Sequence, residues 1–287
     1  PIARTPHELP APLAMQEIQF ICNLAEYAGN LAANMRASVG IKEKTGPGDL
    51  VTDADVALSK LLMNELGARF PNDFFISEEE VLGEGLTSHL NTKNRRTWLI
   101  DPIDGTDNYV NGDGQYAVMI GLLLDGKPHF GCVSSPAMGI TFYGGPAYGA
   151  WYRQLGMKPK SLAAEFPDDL EPPIRLMMGW RDRKNNPWVF NLPGVKIIAA
   201  GSVGIKVAKV ILDEADLFVH LSGKLKFWDT AGPVAIALGA GMEVGTFETD
   251  YLDFPLPEIR HKETVIIGRP GSLEWSRKTL GKQFIVS

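Results

Sequence analysis

The stretch WLIDPIDGTDNYVNG, residues 98–112, constrains this chain more than any other. An apolar run that reads as a buried strand ends in Asp101, and Asp104 and Asp107 follow within seven positions. Carboxylates crowded at a buried strand end repel one another and resist ionising, so they need a cation to be tolerated there. Pro102 removes a ladder donor and holds Asp101 extended, which stops the strand. Gly105 then permits a tight turn. Asp101 and Asp104 can thus face one point with the Ile103 carbonyl between them, an oxygen-only donor set of the kind Mg²⁺ prefers. Thr106 adds a hydroxyl beside it. The plainer alternative is an aspartate-rich turn capped by its own side chains.

The rest of the chain sets bounds on what that cation serves. At 287 residues and 45% hydrophobic content it can bury a large core as one big domain or two linked ones. No run of eighteen apolar residues is present, nor a basic flank followed by an apolar stretch at the N-terminus, so no membrane span and no secretion signal are expected. Cys22 and Cys132 lack CxxC spacing and read as reduced, packed thiols, which fits a cytoplasmic location. The formal net charge of −6 argues against a nucleic-acid duplex as partner. It leaves room for a small phosphate ester, because a bound divalent ion reverses the local field. A homodimer is compatible with the sequence.

Apolar spacing at Ile18, Ile21, Cys22, Ala25, Ala28, Leu31, Ala32 and Met35 predicts a long amphipathic helix over 13–37. A second helix is expected over 53–70, with an aspartate at its start and Pro71 past its end. From Phe74 to Ala150 short apolar runs alternate with glycine-containing turns, the pattern of a mostly antiparallel sheet. The polar, proline-bearing segment LAAEFPDDLEPP places a domain boundary near residue 165. Beyond it strands are expected at 174–180, 195–201, 215–221 and 264–269, with helices at 203–214 and 231–241, so the second half reads as α/β.

Three further acidic segments accompany the opening one. In FFISEEE, Glu78 is best placed to point inward at a strand end, while Glu80 reads as solvated. In GDLVTDADVALSK, Asp49, Asp53 and Asp55 flank a helix start, where N-capping alone would also explain Asp53 or Asp55. In KFWDTAGPVAIALGAG, Asp229 opens a small-residue helix and could again be only a cap.

Taken in order, DLVTDAD (49–55), Glu78-Glu79, DPIDGT (101–106) and WDTAG (228–232) resemble the motifs of the inositol monophosphatase superfamily, lithium-sensitive magnesium-dependent phosphatases. The resemblance spans almost the whole chain. It implies a layered αβαβα sandwich, an α/β (α+β) fold with an N-terminal α+β half (1–165) that carries most metal ligands. A C-terminal α/β half (166–287) would contribute Asp229 and substrate contacts. By the same match Glu78, Asp101 and the Ile103 carbonyl hold a first Mg²⁺, and Asp101, Asp104 and Asp229 a second. Glu79 takes a supporting or third-ion role. Asp55 and Thr106 become the catalytic pair that orients the attacking water, with backbone N–H groups around Gly105 and Thr106 on the phosphate.

Rival phosphatase chemistries are absent or incomplete. The residue six after Cys22 is Ala28 and six after Cys132 is Met138, so no Cys-x5-Arg nucleophile exists. DADVA comes near an aspartyl-phosphate motif at Asp53 and Asp55 but lacks its final Thr or Val. A non-catalytic metal or polyanion-binding relative would not require the Asp55 and Thr106 pair. For the substrate, GSVGIK joins Ser202-Val203-Gly204, an inositol-phosphatase pattern, to Lys206, which suits a nucleotidase. His220 stands where the branches carry arginine or glutamate. With Arg181 and Arg183 these cations favour a second phosphate, as in a 3′(2′),5′-bisphosphate nucleotide, whereas DNYVNG after Thr106 resembles the inositol branch. Gly232-Pro233 leaves open where the Asp229 helix starts, since proline suits only a first turn.

Overall fold

The structure is a computed structural model that describes residues 12–38, 40–43, 50–80, 96–162 and 170–283. Helix α1 (Met15–Met35) buries Ile18, Ile21, Cys22, Ala25, Ala28 and Ala32, the stripe that its apolar spacing predicts. A short hairpin follows, β1 (Ile41–Glu43) against β2 (Leu50–Thr52), and leads into α2 (Asp53–Arg69), which buries Leu58, Leu62 and Leu66 at four-residue steps.

A seven-stranded sheet comes next, ordered as in sequence: β3 (Phe74–Ser77), β4 (Arg96–Asp104), β5 (Ala117–Leu124), β6 (Lys127–Ser135), β7 (Ile140–Gly145), β8 (Gly149–Gln154) and β9 (Lys160–Ser161). Only β3 and β4 run parallel; the other neighbours are antiparallel, as the glycine-bearing turns imply. Period-two alternation divides its side chains between two cores. Trp98, Ile100, Val118, Ile120 and Leu122 face α1 and α2, while Leu99, Met119, Leu123 and Val133 face the opposite way.

The second sheet is ordered β11-β10-β12-β14-β13, from β10 (Ile174–Met177), β11 (Val195–Ile198), β12 (Leu217–His220), β13 (Glu243–Gly245) and β14 (Val265–Gly268). Pairs β10·β11 and β10·β12 are parallel, whereas β14 is antiparallel to both its neighbours. Between the two sheets lie α5 (Val203–Ile211) and α6 (Phe227–Gly239), in a core that runs from Leu99 and Met119 through Ile205, Trp228 and Ala231 to Met177, Phe218 and Val265. The outer face of the second sheet, through Leu176, Leu217 and Ile266, packs on Leu273 of α7 (Ser272–Thr279) and on Val189. Two helices, sheet, two helices, sheet and an outer helical layer make the αβαβα sandwich expected from the motifs. The boundary expected near residue 165 falls outside the described residues, as does Asp49.

Two details of α6 differ from the expectation. The helix begins at Phe227 rather than 231, so Pro233 is internal. Its missing N–H leaves the Asp229 carbonyl without the usual helical donor, and the helix tolerates this beside a close backbone contact with the sheet. A side-chain carbon on Gly131 would sit 2.1 Å from the Gly232 carbonyl oxygen, so both glycines allow the helix backbone to rest on the sheet. Cys22 and Cys132, free and buried, face each other with sulfurs 3.9 Å apart.

Candidate active site

Strand β4 ends where the aspartates begin. Its pairing with β5 is regular through Asp101↔Met119 and resumes only at Asp104↔Ala117, and the irregularity between them is the Pro102 break read from the sequence. Gly105 then takes φ 90° and ψ 47°, the left-handed conformation open to glycine, and N-caps α3 (Thr106–Asn111). Asp101, Asp104 and Asp229 offer carboxylate oxygens that all lie within 4.8 Å of one another. Asp101 and Asp104 are buried.

Crowding has the electrostatic result that the sequence implies. Burial drives the Asp101 carboxyl well above the usual carboxylate range, and Glu78, Asp104 and Asp229 push it further. Asp229 is raised well above that range too, by burial, Asp104 and Glu78. Asp104 is also raised by burial, although a hydrogen bond from the Ser202 hydroxyl, one from the Gly204 N–H at 2.9 Å and the Lys206 charge oppose the rise. An all-oxygen, buried set so short of countercharge fits a hard divalent cation such as Mg²⁺.

Asp55 is both a cap and a partner. Its Oδ2 accepts from the Thr52 N–H at 2.8 Å and from the Thr52 hydroxyl at 2.5 Å, closing the capping box of α2. Its Oδ1 lies 3.3 Å from the Thr106 hydroxyl, which is also 3.2 Å from the Ile103 carbonyl oxygen. One hydroxyl proton serves one acceptor at a time. Burial lifts Asp55 to about 6, with Glu79 adding to the rise against its hydrogen bonds. Glu79 is thus near enough to act electrostatically on Asp55, and Glu78 does the same on Asp101 and Asp229.

A cavity of about 490 Å³ opens over this centre and is bordered by Glu78, Asp104, Gly105 and Thr106 as well as by Ser202, Lys206, Arg183 and His220. The structure therefore brings the N-terminal motifs to the basic residues of the second half. Ser202 N-caps α5, accepting from the Ile205 N–H at 3.1 Å while it donates to Asp104, so its hydroxyl is already occupied. Lys206 is buried, donates to the Gly201 carbonyl and lies with its nitrogen 5.7 Å from the centre of the Phe218 ring. Burial lowers it to about 8; Asp104 pulls the other way and the Arg183 charge adds to the lowering.

His220 is not a lone ligand. Its Nδ1 is 3.0 Å from buried Asp182 and its Nε2 is 2.9 Å from the Ser222 hydroxyl. Asp182 was not singled out by the sequence reading, which saw only the arginines around it. An acidic residue between two basic ones on a short element was the available signal. Gln115 was missed as well: its side chain accepts from the Gly201 N–H at 2.7 Å and its carbonyl from the Ser202 N–H at 3.1 Å, joining the two halves across the cavity.

Such a centre, set at the seam of a five-layer sandwich, defines the class as a metal-dependent phosphatase. Residues 14–274 match the inositol monophosphatase family, and the chain belongs to it. It is 28% identical over 242 residues to the 3′(2′),5′-bisphosphate nucleotidase CysQ of Escherichia coli strain K12, covering 82% of this chain and 92% of that one. It is 30% identical over 207 residues to inositol monophosphatase 3 of Solanum lycopersicum, covering 69% and 74%. Among solved structures it resembles the Thermotoga maritima IMPase with a TM-score of 0.78 at 23% identity, over 95% of this chain and 99% of that one. An IMPase/NADP phosphatase complexed with Mg²⁺ and phosphate gives 0.75 at 20%, over 92% and 95%. Among the described residues no helix is long and apolar enough to cross a membrane.

Proposed function

We propose that the chain is a Mg²⁺-dependent phosphomonoesterase whose substrate carries two phosphates, a 3′(2′),5′-bisphosphate nucleotide. The observation that supports this best is that one cavity is bordered both by the acidic centre and by the cations Lys206 and Arg183. The Arg183 charge disfavours a proton on Lys206, and an anion beside both cations would relieve that repulsion, as a phosphate that is not cleaved would. The likeness to a bisphosphate nucleotidase points the same way.

Asp101, Asp104, Asp229, Glu78 and the Ile103 carbonyl would hold two ions, with Glu79 available to a third. Bound Mg²⁺ would neutralise charge on the phosphoryl oxygens and on the ester oxygen as it is displaced. Asp55 holds the Thr106 hydroxyl so that its free lone pair orients a water. As that water's oxygen bonds to phosphorus, its proton passes through Thr106 to Asp55, the ester P–O bond breaks and the leaving oxygen takes a proton from solvent. With Asp55 near 6, the pair can accept and return a proton around neutral pH. Gly105 and Thr106 border the cavity, and their N–H groups would be the donors to phosphate oxygens there.

Phosphate release from 3′-phosphoadenosine 5′-phosphate, myo-inositol 1-phosphate and fructose 1,6-bisphosphate, with Mg²⁺ and with excess chelator, tests the reading. The nucleotide should be preferred, and chelator should abolish turnover. In ¹⁸O-labelled water a single turnover should label the phosphate; a trapped phosphoenzyme would refute direct attack. Preference for the inositol ester would instead make this an inositol monophosphatase, the reading that Ser202-Val203-Gly204 and DNYVNG favour.

A further inference from the structure

We infer that Trp180 is the platform on which the base of the nucleotide stacks, an assignment that rests on the bisphosphate-nucleotide reading above. Of the large apolar side chains left exposed among the described residues, Trp180 alone borders the main cavity. It is 62% exposed, so its indole forgoes most of the burial that usually makes tryptophan worth keeping. The amino group of Lys184, one helical turn on, lies 4.9 Å from the ring centre and covers one face; the base would stack on the other.

The ring is carried on a fixed mount. Helix α4 (Trp180–Asn185) is pinned two residues later by Asp182, which is 1% exposed and accepts from the Leu221 N–H at 3.0 Å while pairing with His220. Trp180 therefore stands at the rim on the same short helix as Arg183, whose charge acts on Lys206 deeper in the cavity. A ligand with a phosphate between those cations and a flat π-face further out matches both features. An inositol or sugar bisphosphate offers the anion without the face. Stacking needs no hydrogen-bond readout, so the platform accepts any base.

Trp180→Ala tests this with 3′-phosphoadenosine 5′-phosphate and the base-free methyl ribofuranoside 3,5-bisphosphate. KM for the nucleotide should rise about tenfold, kcat should stay within about twofold, and the base-free ester should be unaffected. Trp180→Phe should recover much of the affinity because it keeps an aromatic face. Equal losses on both esters, or none on either, would overturn the platform while the nucleotidase reading stands. If the wild type does not prefer the nucleotide to myo-inositol 1-phosphate, that reading fails and the platform fails with it.

Discussion

The acidic and basic borders of the cavity are built in opposite ways. On the acidic border Asp101, the Ile103 carbonyl, Asp104 and Thr106 come from six consecutive residues at one strand end, where a proline break and a left-handed glycine fix the turn. On the basic border Arg183, Lys206 and His220 come from α4, α5 and the end of β12, held by Asp182 and the Gly201 carbonyl. Contiguous backbone gives a rigid chemical centre; scattered pieces of helix and strand can be exchanged singly. The comparison implies that reaction type resides in the first border and substrate choice in the second.

The largest effect should come from the acidic border. Excess chelator should abolish phosphate release and Mg²⁺ restore it, and Asp104→Asn should cost roughly 10³-fold in kcat with the fold kept. Thr106→Ala should lower kcat by roughly 10²-fold with little change in KM, the scale of a positioned acid–base group. A larger change in KM than in kcat would move Thr106 from chemistry to binding. On the basic border Lys206→Ala should lower kcat/KM for 3′-phosphoadenosine 5′-phosphate by about tenfold to a hundredfold, the worth of a charge-assisted hydrogen bond. Because Lys206 also acts on Asp104, 2′-AMP should lose a few-fold as well.

The smallest effect is on stability. Asp101, Asp104 and Asp229 have folded pKa values raised above their unfolded ones, so the folded chain binds more protons and loses stability as pH rises through those values. His261 acts oppositely. Burial lowers it to about 3, so it costs stability as pH falls below its ordinary 6.5. The rise in Tm on adding Mg²⁺ separates the two, since only the carboxylates meet the ion. It should be larger at pH 8 than at pH 5.5, by a few degrees. Equal increments at both pH values would mean that the cluster is not what the ion relieves.

Much of the acidic border was legible because its residues are neighbours in sequence and each local choice has one physical meaning. Asp55 and Asp229 show the limit of that legibility. Each could be read either as a helix cap or as part of the site, and the geometry is compatible with both at once: Asp229 accepts from the Lys226 N–H at 2.7 Å while lying in the carboxylate cluster, and Asp55 caps α2 while lying 3.3 Å from the Thr106 hydroxyl. A cap also fixes the rotamer that the proposed site would use, so the alternatives do not exclude each other. The start of α6 was open in the sequence because Pro233 normally marks a first turn; the helix begins at Phe227 with Pro233 inside it, where the backbone packs closely through Gly131 and Gly232. Asp182, Gln115 and Trp180 stayed hidden because their meaning depends on the folded arrangement: Asp182 on His220 and Leu221, Gln115 on Gly201 and Ser202, and Trp180 on its place beside the cavity.

The division of labour is tested most directly by one ratio, kcat/KM for 3′-phosphoadenosine 5′-phosphate over that for 2′-AMP, in wild type, Thr106→Ala and Arg183→Gln. Thr106→Ala should slow both substrates alike and leave the ratio unchanged. Arg183→Gln should lower it about tenfold by weakening only the substrate with a second phosphate. A ratio that falls in Thr106→Ala, or holds in Arg183→Gln, would contradict the account.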